Sequence, residues 1–184
     1  MARLELPVRE KLDHEGQGAW DHVMGNRGHI GGPFTVLVHS PELGKRVSDV
    51  GAYIRFESGL DKALRTIAVM MTAREFNCRF EWAGWTKQGR EAGVPERIID
   101  AILDRRIPDD LTPDQELVMI FGKQILSPKH RVEKETYDAA VRRFGLKGTI
   151  DLAMTFGYFA MLTFTLNTFQ VDVPQDHDEL PVPA

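Results

Sequence analysis

The chain contains one cysteine, Cys78. A lone thiol excludes an intramolecular disulfide and a cysteine-based zinc cluster, and it fits a reducing compartment, which makes the cytoplasm the expected location. An excess of one charge is also missing: 23 Lys and Arg stand against 27 Asp and Glu, for a formal net charge of −4 and a pI near 5.9. Such a surface does not attract phosphate backbones, so nucleic acid is not an expected partner. Residues Met1 to Pro7 lack the apolar core and small-residue cleavage site of a secretory signal. The longest uncharged stretch, Leu152 to Gln170, is interrupted by Thr155, Thr163, Thr165, Asn167 and Thr168. Its apolar part therefore falls short of the ~20 residues that cross a bilayer, and it reads as a buried helix with no membrane partner. His14, His22, His29 and His130 match no metal-ligand spacing, and the stretch GNRGHIGG lacks the lysine and flanking strand of a phosphate loop. No metal and no cofactor is expected.

What is present is a chain of 184 residues with 42% apolar and 27% charged side chains, enough to bury a core in one domain. Few stretches alternate at period two, whereas several repeat apolar residues at i, i+3, i+4 and i+7, so the expected fold is all-α with about seven helices. A short helix is expected from Pro33. A second starts at Ser40, with Ser40 as cap, Pro41 in the first turn and Leu43, Val47, Val50 and Ile54 on one stripe, and it ends at Ser58-Gly59. Asp61 caps the next, with Leu64, Ile67, Ala68 and Met71 at helical spacing; it breaks near Asn77 and restarts through Glu91. Gly93-Val94-Pro95 separates off a helix from Pro95 to about Leu103. Thr112-Pro113 with Gln115 opens another, carrying Leu117, Ile120, Phe121 and Ile125 on one face up to Ser127-Pro128. Two more follow, Val132 to Phe144 and Lys147 to Thr168. The last is apolar around most of its circumference and is therefore central or at a subunit interface. The proline-rich acidic tail from Asp172 is expected to be extended, docked or disordered.

Chemistry-bearing residues are densest in Leu60 to Trp85, LDKALRTIAVMMTAREFNCRFEWAGW. On a helix, Cys78, Glu81 and Trp85 at i, i+3 and i+7 share one face. With a restart near Asn77, the N–H groups and dipole of the first turn favour a thiolate at Cys78 and an ionised Glu81. The same residues also fit a small buried cysteine beside a surface glutamate, with Trp82 and Trp85 as packing.

The segments GPFTVLVHSPEL, LDKALR, NCRFEWAGW, GVPERIIDAI, LTPDQE and LNTFQVDVP, spread over roughly Gly32 to Pro174, resemble the carboxymuconolactone decarboxylase family, which includes the alkylhydroperoxidase AhpD. NCRFEWAGW is the specific part. The resemblance implies an AhpD-like helical domain over residues 32–171, with an N-terminal extension, 1–31, and the tail, 172–184, assembled as a homo-oligomer. The family's redox branch has a glutamate twelve residues before a first cysteine, a second cysteine three residues after it and a histidine four residues further on. The corresponding residues here are Thr66, Cys78, Glu81 and Trp85. A two-thiol peroxidase must resolve its oxidised sulfur with a neighbouring thiol, so that cycle is not expected.

The decarboxylase branch removes CO₂ from a small cyclic lactone acid without a cofactor. The resemblance thus implies a cofactor-independent lyase acting on a small carboxylate or lactone, in aromatic-compound catabolism. Glu81, His39 and Cys78 are the catalytic candidates, and Tyr53, Arg55, Arg74, Trp82 and Trp85 the substrate-binding ones. Arg55 and Arg74 would hold a carboxylate by parallel bonds, His39 would donate a proton, Glu81 would orient or take one, and the aromatic residues would form walls. Each has a plainer counterpart: His39 bridging two helices, Arg55 and Arg74 solvated or paired with Glu57 and Glu75. Two alternatives to the lyase stand beside it, a one-cysteine alkylhydroperoxidase-like thiol peroxidase served by an external thiol, and a non-enzymatic small-molecule-binding relative.

Overall fold

The computed structural model describes residues 2–175 and 177–181. Met1, Asp176 and residues 182–184, on which part of the tail reading falls, lie outside the described residues. Among the described residues there is no strand; the fold is all-α, as the apolar spacing implied. The helices are α1 (His14–Arg27), α2 (Phe34–Leu37), α3 (Pro41–Ala52), α4 (Lys62–Glu75), α5 (Arg79–Glu91), α6 (Glu96–Leu103), α7 (Pro113–Ile125) and α8 (Lys134–Phe169). They fall into two compact units, one formed by residues 1–58 and 164–172, the other by 59–163 and 173–184.

The first unit holds α1 to α3, a wide helical turn at Tyr53–Glu57 and the end of α8. Apolar periodicity gives no sign of α1, because its glycines and polar residues leave only Ala19 and Val23 as buried apolar anchors. Asp13 starts it by accepting from the Gly16 N–H, and Gly28 ends it in the left-handed region at φ 74°. It is tied to α3 by His22 and Asn26, both bonded to Asp49. In α3 the expected stripe is corrected: Val47 and Ile54 are buried, but Leu43 and Val50 are exposed, and Gly44, Ser48 and Gly51 face inward instead. At Gly44 nothing larger fits, because the α2 backbone lies on α3 and a Cβ there would stand 2.7 Å from the Leu37 carbonyl oxygen. Ser40 precedes the helix as expected, but its side chain makes no cap bond. The two distant ends of this unit are clasped: the Arg3 N–H donates to the Phe169 carbonyl at 2.9 Å and the Ala2 N–H to Asp172 at 3.2 Å.

In the second unit α4 is the central rod, packed on α5, α6 and α7. Asp61 caps it as expected, accepting from the N–H groups of Ala63 and Leu64. Thr112 and Gln115 close a capping box at α7. The apolar face of α7 is corrected, since Val118, Met119, Phe121 and Gly122 are buried while Leu117, Ile120 and Ile125 are half-buried. The two last helices of the sequence reading are α8 broken at Gly145, whose φ of 72° and ψ of 171° are not helical. Length and composition alone would let α8 cross a bilayer, which corrects the expectation that its apolar part is too short. Yet 56% of its most apolar 18-residue window is buried, the pattern of a core helix.

Candidate functional site

α4 runs into α5 through a turn that the sequence enforces. Asn77 sits at φ 50°, a left-handed position that asparagine tolerates, and Cys78 follows in extended conformation as the residue capping α5. The turn is fixed by the Cys78 N–H on the Ala73 carbonyl at 2.8 Å. Cys78 is fully buried, and the backbone N–H groups of Glu81 and Phe80 point to its sulfur. Burial outweighs those donors and, with the charge of Glu81, pushes the thiol up to about 12. Of the two readings of this residue the small buried cysteine is the one the structure has, and the thiolate falls: at neutral pH this is a protonated, sealed thiol.

One helical turn on, Glu81 is also buried, at 4% exposure, so the surface-glutamate alternative fails. Its Oε2 accepts from Trp85 Nε1 at 2.6 Å. Trp85 in turn meets Phe159 edge to face, ring centroids 5.0 Å apart. Trp82 is 1% exposed, and its Nε1 has no hydrogen-bond partner among the described residues. Thr66, the residue where the redox branch has its glutamate, is buried and spends its hydroxyl on the Lys62 carbonyl. Gly89 lets α5 approach there, since a Cβ on it would lie 3.3 Å from Thr66 Cγ2 and Met70 Cε.

Arg74, at the end of α4, is not paired with Glu75. Its Nε donates to the Leu103 carbonyl at 2.7 Å and its Nη1 to Asn77 Oδ1 at 2.9 Å, while Glu75 pairs with Arg105. Burial first, then Arg105, lowers the Arg74 guanidinium from its ordinary value. Arg74 also lines a cavity of about 200 Å³ formed by α4, the end of α6 and α7. Arg105, Arg106 and Lys123, none of them a candidate from sequence, stand with it there. The pair Arg105-Arg106 just after α6 was the available signal.

The remaining candidates belong to the first unit. His39 is exposed at the end of α2. Tyr53 and Arg55 are half-buried in the wide turn Tyr53–Glu57, whose closing bond runs from the Ser58 N–H to the Tyr53 carbonyl. The structure thus gathers Cys78, Glu81, Trp82 and Trp85 on the first two turns of α5, with Arg74 one short turn of chain before them. Among the described residues no group of three or more His, Cys, Asp or Glu is placed to hold a metal.

No protein-family model matches the sequence, and no curated protein matches it either. The fold does have a solved counterpart, the alkylhydroperoxidase AhpD core of an uncharacterized peroxidase-related protein from Ralstonia eutropha JMP134. The two match with a TM-score of 0.76 over 95% of this chain and 93% of that chain, at 18% sequence identity. At that identity the likeness speaks for architecture: the chain has the all-α, AhpD-like helical fold.

Proposed function

We propose that this chain uses the AhpD-like scaffold to bind a small organic molecule, and that Cys78 takes no part in peroxidase turnover. The observation that carries this reading is the state of Cys78, fully buried and pushed up to about 12. A peroxidatic sulfur must be exposed and ionised to attack a hydroperoxide, and a lone thiol has no neighbour to resolve the product. What unit two offers instead is open concave space, the cavity beside Arg74. The test is paired. Purified protein given an organic hydroperoxide and an external thiol should consume neither above background, while a panel of small acids and lactones should raise its melting temperature. Steady hydroperoxide consumption that Cys78→Ser abolishes would overturn the reading in favour of a one-cysteine peroxidase.

The second reading is a cofactor-free lyase on a small carboxylate or lactone, and one observation favours it: Glu81 is a carboxyl group held out of water by Trp85, the setting in which an acid–base group is strengthened. In that reaction the substrate carboxylate leaves as CO₂, its electron pair passes into the conjugated lactone, and a proton is delivered to carbon. CO₂ release from a lactone acid, lost in Glu81→Gln, is the result that establishes it. We also propose self-association through the exposed apolar side of α8.

A further inference from the structure

The cavity formed by α4, the end of α6 and α7 has a lining that selects its occupant. Its volume is about 200 Å³. At the roughly 30 Å³ that a water-sized group occupies in a condensed phase, that is room for about six or seven such groups, the bulk of a medium-chain ligand. The walls are aliphatic, with Met71, Ile102, Met119 and Leu126 among them and no aromatic ring in the lining. An aryl ligand draws selectivity from ring contacts that this wall lacks, whereas thioether side chains adapt to a flexible alkyl body.

Cations dominate the rest of the lining. Arg74, Arg105, Arg106 and Lys123 stand against one carboxylate, Glu75. Arg105 already pairs with Glu75 at 3.3 Å. Arg106 has only an exposed contact with Asp104 at 3.3 Å. The two acceptors of Arg74, Leu103 O and Asn77 Oδ1, are both uncharged. Lys123 is exposed and forms no ion pair among the described residues. Positive charge is thus left over beside an apolar wall, where a charge-assisted hydrogen bond is stronger than in open water. Burial and then Arg105 lower the Arg74 guanidinium, against the opposing pull of Glu75 and Asp104.

We propose that this cavity is a binding site for a medium-chain alkyl carboxylate, with its head group on Arg74 and Lys123 and its chain on Met71, Met119 and Leu126. The assignment rests on the small-molecule-binding reading and names the ligand class for it. Octanoate is the probe, added to the full chain carrying isotope-labelled methionine methyl groups. Saturable binding should move the methyl resonances of Met71 and Met119 and leave those of Met24, Met154 and Met161 in place. Lys123→Glu, an exposed change, should weaken octanoate about tenfold or more without altering the melting temperature, and octanol should bind about tenfold more weakly than octanoate. Shifts confined to other methionines, equal binding of octanol, or no saturation at millimolar octanoate would each overturn the assignment. A lactone acid and an aryl carboxylate run in parallel separate the two levels. If octanoate fails and one of those binds, the alkyl-carboxylate assignment falls and the binding reading stands; if all three fail, both fall.

Discussion

Cys78 and the Trp85–Glu81 pair are where single side chains carry the most consequence. The Cys78 thiol stands at about 12 in the fold against 9.0 for an unperturbed cysteine, so the native state keeps a proton that the unfolded chain has lost. Its contribution to stability is whole below pH 9.0 and drains away as pH rises toward about 12. Wild-type protein should therefore lose stability across that alkaline window, and Cys78→Ala should show a flatter profile in the same denaturant titrations. Identical slopes in the two proteins would contradict the protonated thiol. Trp85→Phe removes the donor to Glu81 together with part of a buried ring, and a loss of about 2–4 kcal/mol is expected. Adding Glu81→Gln to Trp85→Phe should recover part of that loss, because a neutral amide is cheaper to bury than a carboxylate deprived of a donor. A second, independent loss in the double variant would mean that the indole N–H does not serve the carboxylate.

At the level of helices and turns, packing depends on positions that tolerate nothing larger. A Cβ on Gly122 would stand 2.8 Å from both Met71 Cε and Phe156 Cζ. The methionine can swing away but the ring cannot, so Gly122→Ala should cost about 1–3 kcal/mol in equilibrium unfolding. The tail is held to α5 by Arg90, which bonds both Asp178 and Glu96, and Leu180 is buried. Arg90 holds Asp178 and Glu96 below the usual carboxylate range, with Thr86 and His177 adding to the effect on Asp178. The ion pair's share of the docking is thus complete above the ordinary carboxylate pKa and is lost as pH falls through the lowered values of the pair, leaving Leu180 to hold the tail. Protease cleavage near Leu180 should accelerate in that acid range, and Asp178→Asn should bring the same acceleration at neutral pH. The turn signals that make these elements readable are local: Asp61, the break near Asn77 and the Thr112 to Gln115 box each act within a few residues. The faces were less readable. Large apolar spacing points Leu43 and Val50 inward, whereas Gly44, Ser48 and Gly51 share the buried side of α3 with Val47, and at Gly44 the Leu37 carbonyl leaves no room for a side chain. The Cys78, Glu81 and Trp85 face was legible from spacing. Arg74 on a carbonyl 29 residues away, and the cavity it lines, depend on contacts that no local pattern encodes.

Among the described residues, α8 carries an uncovered apolar strip. Leu146, Ile150, Met154 and Met161 are between 40% and 59% exposed along α8, at spacings that put them on one side of the helix. Gly157 falls within this run, and nothing lies within 4 Å of the Cβ it lacks. A second copy covering this strip would give light-scattering masses of at least twice 20.8 kDa at micromolar concentration. Ile150→Glu with Met154→Glu should return the monomer. A wild-type mass of 20.8 kDa throughout would remove the proposed self-association.

The clasp of Arg3 and Ala2 on Phe169 and Asp172 has a consequence for biosynthesis. One compact unit draws on residues 1–58 and then on 164–172, with 59–163 passing through the other in between. A ribosome delivers the chain from one end, so the earliest helices emerge long before the strand of chain that closes over them, and the closure carries the entropy of a very long loop. Residues 59–163 lack only the tail from Val173, whose hold on α5 is the Arg90–Asp178 pair and buried Leu180. Nascent chains stalled once that stretch has cleared the exit tunnel should protect the amides of α4 and α5 from exchange, while α1 and α3 gain full protection only after residue 172 has followed.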